Sequence, residues 1–143
     1  FDITVQGAGG HGAAPHQTKD AIAIGAQLVT NLQQIVSRRV NPTESAVLSV
    51  GSFVAENAFN VIADSAKIGG TVRTFNPKIR DLMEREMKRV VDGTALANDC
   101  EIEFTYERGY PAVVNHDDET EFLKSIAEKI QGIENVVETE PHM

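Results

Sequence analysis

The sequence predicts an α+β fold in which four antiparallel strands form one sheet and two helices cover one of its faces. Two observations lead to this prediction. Four short stretches are rich in β-branched residues or alternate apolar and polar residues with the period of a half-buried strand. Two longer stretches repeat apolar residues at helical spacing. Their order is strand, helix, strand, strand, helix, strand, which is the βαββαβ pattern of ferredoxin-like domains.

The first strand and the first helix are predicted over residues 1–5 and 20–39. Apolar side chains alternate along the strand, and Asp20 is placed to cap the helix. One face of that helix carries an apolar stripe made by Ile24, Leu28, Leu32 and Ile35. The helix is expected to end at Asn41-Pro42, because proline lacks the N–H that a helix interior uses.

The second half of this unit repeats the arrangement. Residues 46–54 and 66–73 are predicted to be the two strands of a hairpin-like pair, with a loop at residues 57–64. Asn76-Pro77 is a typical N-cap followed by a typical first helical residue, so a second helix is predicted to begin there. The alternation returns over residues 101–107, which are predicted to form the last strand.

The chain is predicted to hold a domain at residues 1–110 and the incomplete start of a second domain at residues 111–143. The elements expected in the second part are a linker at residues 111–115, a helix capped by Asp117 or Asp118 and followed by Gly132, and a short strand at residues 135–140. One helix and one strand have no partner for their apolar faces. We therefore expect this sequence to belong to a longer chain.

Composition narrows the classes of function. The formal net charge of the 143 residues is −8, and all of it comes from residues 101–143, since residues 1–100 hold ten acidic and ten basic side chains. No basic stripe is present, which disfavours nucleic acid and anionic membranes as partners. Cys100 is the single cysteine, so no internal disulfide can form, and we expect a reducing, cytoplasmic location.

A glycine-rich run around His11 is the strongest functional signal. Gly9-Gly10-His11-Gly12 follows the first strand, and its glycines are expected to take positive φ and to approach a ligand closely. We expect the His11 imidazole to face a substrate and to donate a hydrogen bond to a developing oxyanion. Two alternatives stay open, namely that His11 and His16 are merely solvated, or that they bind a metal together with His116. The spacing of these histidines matches no standard metal site.

Asn60 and Arg73 form a second candidate pair. An amide and a guanidinium that lie close together can grip a substrate carboxylate, although a turn Asn and a surface Arg would have the same residue types. Gly69-Gly70 predicts a bulge or the close approach of a neighbouring segment. Cys100 is predicted to be a buried structural thiol, because no histidine near it in sequence could activate it.

Four signatures in this order resemble the M20 family of metallopeptidases and amidohydrolases. They are Gly9-Gly10-His11-Gly12-Ala13-Ala14-Pro15-His16, then Asn60-Val61-Ile62, then Gly70-Thr71-Val72-Arg73-Thr74-Phe75, then Arg108-Gly109-Tyr110-Pro111. The likeness covers essentially the whole chain and is strongest to the branch that hydrolyses N-acyl amino acids, hippurate and auxin conjugates. Ala63 departs from the family pattern, which usually has proline at that position.

The resemblance implies roles for single residues. His11 is similar to the family histidine that reaches into the active site of the partner subunit and polarises the scissile carbonyl. Asn60 and Arg73 are similar to the groups that hold the carboxylate of the substrate, and His16 matches a recurrent position to which no role is assigned. The resemblance also implies two divalent metal ions (zinc, manganese or cobalt) in the parent enzyme. Their ligands would lie outside this chain, which is therefore expected to bind no metal and to be inactive alone.

In the family, residues like 1–110 form a lid and dimerisation domain, and residues like 111–143 begin the return to the catalytic domain. The resemblance thus implies a homodimer, for which residues 46–54 and 20–39 are the candidate surface. The alternative to this whole interpretation is a non-enzymatic ferredoxin-like module that binds a ligand or dimerises.

Overall fold

The computed structural model describes residues 1–132, 135–137 and 139–140, and the chain divides into two compact units. The first unit comprises residues 1–109 and the second residues 110–143. Within the part of the chain that is described, no helix is both long and apolar enough to cross a membrane.

The first unit is built on a four-stranded antiparallel sheet. Its strands are β1 (Asp2–Gln6), β3 (Ala46–Val54), β5 (Ser65–Thr74) and β6 (Glu101–Thr105). Their order across the sheet is β3-β5-β1-β6, so the two central strands are β5 and β1 and the two edges are β3 and β6. With the two intervening helices this is the ferredoxin-like arrangement, and the predicted fold class is confirmed.

Two helices cover one face of that sheet. Helix α1 spans Ala21–Arg39, and Asp20 caps it as predicted, since its Oδ1 accepts hydrogen bonds from the backbone N–H groups of Ile22 and Ala23. Helix α2 spans Pro77–Ala97 and is capped by the Asn76 side chain. The largest fully buried side chains of the core are Ile3, Val5, Leu28, Leu32, Ile35, Ile68, Met83, Met87 and Val91.

A bulge lies in edge strand β3 opposite the paired glycines of β5. The pairing register shifts between Val50 and Ser52, which leaves Gly51 as the extra residue. Gly70 lets two segments approach closely, because a Cβ there would lie 2.2 Å from the Ser49 carbonyl oxygen and 2.5 Å from the Phe1 ring. The close approach predicted for Gly69-Gly70 is therefore found at Gly70, whereas the extra residue of the bulge lies in the neighbouring strand.

A small two-stranded extension continues the β1–β5 ladder beyond the main sheet. It consists of β2 (Gly10–His11) paired antiparallel with β4 (Val61–Ile62). We call residues 7–12 and 60–64 the ribbon. The sequence predicted only loops in these two segments, and that prediction was wrong because two-residue strands are too short to show alternation.

The second unit holds helix α3 (Asp117–Gln131). Its N-cap is His116, without a side-chain hydrogen bond, so neither Asp117 nor Asp118 is the cap as predicted; both lie inside the first turn, where negative charge favours the helix dipole. Gly132 ends the helix with a φ of 85°, as expected of a residue free of a Cβ. A strand was predicted over residues 135–140. The described residues of that range form none, and residue 138 lies outside the description.

Candidate functional site

The ribbon places His11 and Asn60 side by side. Residue 11 pairs with Val61 in the short ladder, and the Gly12 N–H donates to the Asn60 carbonyl oxygen at 2.8 Å. Nearer the main sheet, the Gly7 N–H donates to the Asp64 carbonyl oxygen at 2.8 Å. Both His11 and Asn60 are exposed. Two residues that stand 49 positions apart in sequence thus share one end of the molecule.

The glycines of the ribbon serve close packing of its two strands. None of them has positive φ, so that expectation was wrong. A Cβ on Gly9 would lie 2.7 Å from the Ile62 carbonyl oxygen, and one on Gly12 would lie 2.9 Å from that of Asn60. Contacts this short do not occur for real side chains. Glycine is therefore required because the facing strand, not a ligand, fills the space where a side chain would be.

The His11 imidazole is oriented by its own loop. Its Nδ1 accepts a hydrogen bond from the Ala13 backbone N–H at 3.0 Å. In the neutral ring that bond places the proton on Nε2, which becomes the donor. Because the side chain is exposed at the end of the ribbon, this Nε2–H can reach a group that approaches from outside. The arrangement suits a hydrogen bond to an external oxygen.

Lys19 anchors the base of the ribbon. Its backbone pairs with Ala8 through two hydrogen bonds of 2.9 Å, and its Nζ reaches the Asp99 carboxylate at 2.9 Å and also the Asp99 carbonyl oxygen. The hydrogen bond from Lys19 holds the pKa of the Asp99 carboxyl below its usual value. Asp99 has a φ of 49° at the turn before β6. No sequence pattern indicated this contact, because it joins residues 80 positions apart.

Arg73 lies at the other end of the sheet. It is exposed near the end of β5, where it pairs with Val47, whereas the ribbon continues from the start of β5 at Ser65. Arg73 lies eight positions after Ser65 along this extended strand, a rise of ~26 Å. The structure therefore brings Asn60 to His11 but keeps Arg73 away from both within one chain. A grip by Asn60 and Arg73 of the same chain is not formed.

His16 and Cys100 are the remaining candidate residues, and neither belongs to a metal site among the described residues. His16 lies exposed in a single 3-10 turn at Pro15–Gln17. Cys100 was predicted to be buried but is only half-buried against the core, and desolvation raises the pKa of its thiol. Among the described residues, no three His, Cys, Asp or Glu side chains are placed to hold a metal ion. The donor groups present in this part of the chain therefore do not fit a metal centre.

Arg108, in the fourth signature, ties the end of the sheet to helix α2. Its Nε donates to Glu84 at 2.6 Å and its Nη1 to Asp81 at 2.7 Å, and these hydrogen bonds raise the pKa of the guanidinium. The Arg80 side chain donates to the Gly109 carbonyl oxygen. This signature thus fixes the path of the chain as it leaves β6.

The fold and the ribbon define an α+β domain that exposes a histidine and an amide at one end. Comparison with known proteins agrees. Residues 1–99 match the family profile of the M20 peptidase dimerisation domain. The chain belongs to this family.

Three similar proteins illustrate the relationship. YhaA of Bacillus subtilis is 54% identical over 143 residues, which are 100% of this chain and 36% of YhaA. The N-acyl-L-amino acid amidohydrolase of Geobacillus stearothermophilus is 52% identical over 118 residues, 82% of this chain and 32% of that protein. The crystal structure of Bacillus subtilis YXEP, a dinuclear metal-binding peptidase of the M20 family, has a TM-score of 0.65 at 27% identity and covers 90% of this chain and 30% of YXEP. The chain spans about a third of the length of these relatives.

Proposed function

We propose that this chain is the lid and dimerisation part of an amidohydrolase that cleaves the amide bond of N-acyl amino acids in the cytoplasm. Residues 1–110 would be the lid, and residues 111–143 would begin the C-terminal part of the catalytic domain. The parent would carry two divalent metal ions (zinc, manganese or cobalt) on residues outside this chain, as the similarity to a dinuclear metal-binding peptidase of the M20 family suggests. The chain alone would be inactive. The similarity to an N-acyl-L-amino acid amidohydrolase supports this substrate class.

The observation that carries the proposal is the state of His11. Its Nδ1 accepts the Ala13 N–H, so the neutral ring carries its proton on Nε2, and the side chain is exposed at the end of the ribbon. A hydrogen-bond donor fixed in advance is what stabilises the oxyanion that forms when an amide carbonyl is attacked. In this role His11 acts on a substrate bound by another part of the enzyme, which is consistent with the incomplete site on this chain.

The substrate carboxylate would be held by Asn60 and Arg73 from two different copies of the chain. Asn60 lies beside His11, whereas Arg73 lies a strand length away. We therefore assign His11 and Asn60 of one subunit and Arg73 of the other to the same site. The guanidinium offers a planar pair of donors to a carboxylate, and the Asn60 amide adds one more donor. No role is proposed for His16 beyond its place in the same loop.

The edge strand β3 and helix α1 are the proposed dimer surface. Edge β3 has nine residues without a charged side chain, and it exposes Val47, Phe53 and Val54. The other edge, β6, has five residues, with Glu101 and Glu103 exposed. Two copies pairing about a two-fold axis through β6 would bring these carboxylates together, which is unfavourable. Pairing through β3 instead satisfies the free backbone groups of an edge and covers apolar side chains.

A mixed-dimer experiment in the longer enzyme tests the shared site. His11→Ala and Arg73→Gln chains, each with its own affinity tag, are produced separately and together, and the dimer carrying both tags is purified. Each homodimer should lose ~10²–10³-fold in kcat or kcat/KM for an N-acyl amino acid. The mixed dimer should regain about half the activity of the unaltered enzyme, because one of its two sites then has every group.

Lys67→Gln is the matched control, since Lys67 is another exposed cation of β5 that the proposal leaves out. Its homodimer should keep full activity. A mixed dimer as inactive as its parents would show that all three groups act within one chain. Full activity of the His11→Ala homodimer would contradict the oxyanion role altogether.

A further inference from the structure

A groove between helices α1 and α2 lies on the surface of the first unit, and no ribbon residue lines it. Its volume is about 560 Å³, which is within the usual range of sites for small molecules. Its floor includes Ile35 and Val90, and amide side chains such as Asn31 and Asn98 line its walls. Nothing in the proposed hydrolase function uses this groove.

The groove carries an excess of positive charge. Arg38, Arg39 and Arg89 line it together with one carboxylate, Glu86, so three cations face one anion. This excess is local, because residues 1–100 as a whole hold equal numbers of acidic and basic side chains. Glu86 is also largely enclosed, with 12% of its side chain exposed, so it lies beneath the arginines rather than in front of them.

The arginines of the groove retain free donor capacity. The Arg89 Nη1 lies 3.4 Å and the Arg39 Nε 3.8 Å from Glu86, both longer than the 2.7–2.9 Å of a charge-assisted hydrogen bond. Arg38 donates to the adjacent Ser37 carbonyl oxygen. Arg38 and Arg39 lie in the last turn of α1, where they also favour the helix dipole, but Arg89 lies in the interior of α2 and has no such role.

The groove stays open in the proposed dimer. The residues of α1 that line it, including Asn31 and Arg38, lie on the flank that faces α2. Val29 and Val36 lie on the opposite flank by helical spacing, on the side of the proposed partner. An occupant of the groove therefore does not compete with dimerisation through β3.

We propose that this groove binds a small molecule that carries several anionic oxygens, as polycarboxylates and phosphorylated compounds do. The planar guanidinium groups of Arg38 and Arg89 would bind its oxygens, each offering paired N–H donors. The side-chain amides of Asn31 and Asn98 would bind its neutral polar part. The proposal is independent of the hydrolase assignment, since it needs no residue of the ribbon.

Titration calorimetry of the 143-residue chain with pyrophosphate and, separately, with citrate tests this proposal. At low ionic strength we expect saturable binding with a dissociation constant of about 0.1 mM for at least one probe. Binding should also shift the side-chain amide signals of Asn31 and Asn98 in NMR spectra. Preference for pyrophosphate would assign the groove to phosphorylated ligands, and preference for citrate would assign it to polycarboxylates.

Substitutions separate the groove from general charge effects. Arg89→Gln should weaken binding at least ten-fold, Arg89→Lys less, and Lys67→Gln on the sheet less than two-fold. Glu86→Gln should strengthen binding ~3–5-fold, because it removes a negative charge near the ligand. A loss of folding cannot imitate that gain. The absence of saturable heat with both probes up to about 10 mM, or equal effects of Arg89→Gln and Lys67→Gln, would overturn the proposal.

Discussion

Replacing Gly70 with alanine should strongly destabilise the sheet. A Cβ at this position would lie 2.2 Å from the carbonyl oxygen of Ser49 and 2.5 Å from Cζ of Phe1, whereas real Cβ atoms essentially never approach within 3.0 Å of another heavy atom. The first clash is with backbone that belongs to the β3–β5 ladder, so no rotamer change can relieve it. Strand β3 and the Phe1 ring must both move by about 1 Å.

The expected cost follows from what this movement breaks. Two ladder hydrogen bonds, at roughly 1 kcal/mol each, would be weakened beside the Gly51 bulge. The Phe1 ring, which packs against the core, would lose part of its burial at a cost of roughly 1–2 kcal/mol. The sum is about 3 kcal/mol. With an unfolding entropy of about 0.23 kcal mol⁻¹ K⁻¹ for a unit of this size, Tm should fall by about 13 °C.

Gly93→Ala is the matched control, because no atom beyond its chain neighbours and the adjacent helix backbone lies within 4 Å of the position where its Cβ would be. Gly93 is inside helix α2, so alanine should stabilise the protein by about 1 kcal/mol and raise Tm by about 4 °C. Differential scanning calorimetry of both variants measures the two shifts. A Gly70→Ala Tm within about 3 °C of the unaltered chain would refute the steric argument.

Two further predictions concern the ribbon and the thiol. Lys19→Met should increase amide hydrogen exchange at Gly7 and Gly12 several-fold while the core exchanges as before, because Lys19 ties the ribbon to Asp99. This contact lowers the pKa of Asp99 in the folded protein. The stability that the contact adds is therefore fully present above the ordinary carboxyl pKa of about 3.9, and it is lost as pH falls through the lower pKa of the folded state. Equal exchange in both proteins at neutral pH would exclude the anchoring role. Cys100 should react with a disulfide reagent at pH 8 more slowly than free cysteine, because desolvation raises the pKa of its thiol; a rate equal to that of free cysteine would contradict the structural role.

The fold was predictable because every long element buries one side only. Alternation over residues 1–5 and the apolar stripe of helix α1 both indicate which face packs against the core. The caps at Asp20 and Asn76 indicate where the two helices begin. The cap of α3 was predicted one or two residues too late. Three carboxylates in its first turn are equally compatible with capping and with the helix dipole, so residue type alone could not distinguish them.

The sequence identified the residues of the candidate site, but it could not predict how they are arranged in space. The glycines around His11 indicated a close approach. Both positive φ and tight strand pairing favour glycine, so the sequence alone could not show which of the two the structure uses. The contact of Lys19 with Asp99 and the pairing of residue 11 with Val61 are non-local. Neither leaves a periodic pattern, because each depends on how distant segments align once the sheet has formed.

The separation of Arg73 from His11 is a consequence of strand register and not of loop conformation. Gln6 pairs with Ser65 at the end of the β1–β5 ladder, and the ribbon continues from there with Gly10 opposite Ile62. Each further residue pair in this direction places His11 and Asn60 further from Arg73, which lies near the opposite end of β5. A hinge in the ribbon cannot close the distance of ~26 Å that this paired, extended strand imposes. If all three side chains bind one substrate, two chains must therefore supply them, and the edge strand that carries three exposed apolar side chains is where those chains would meet.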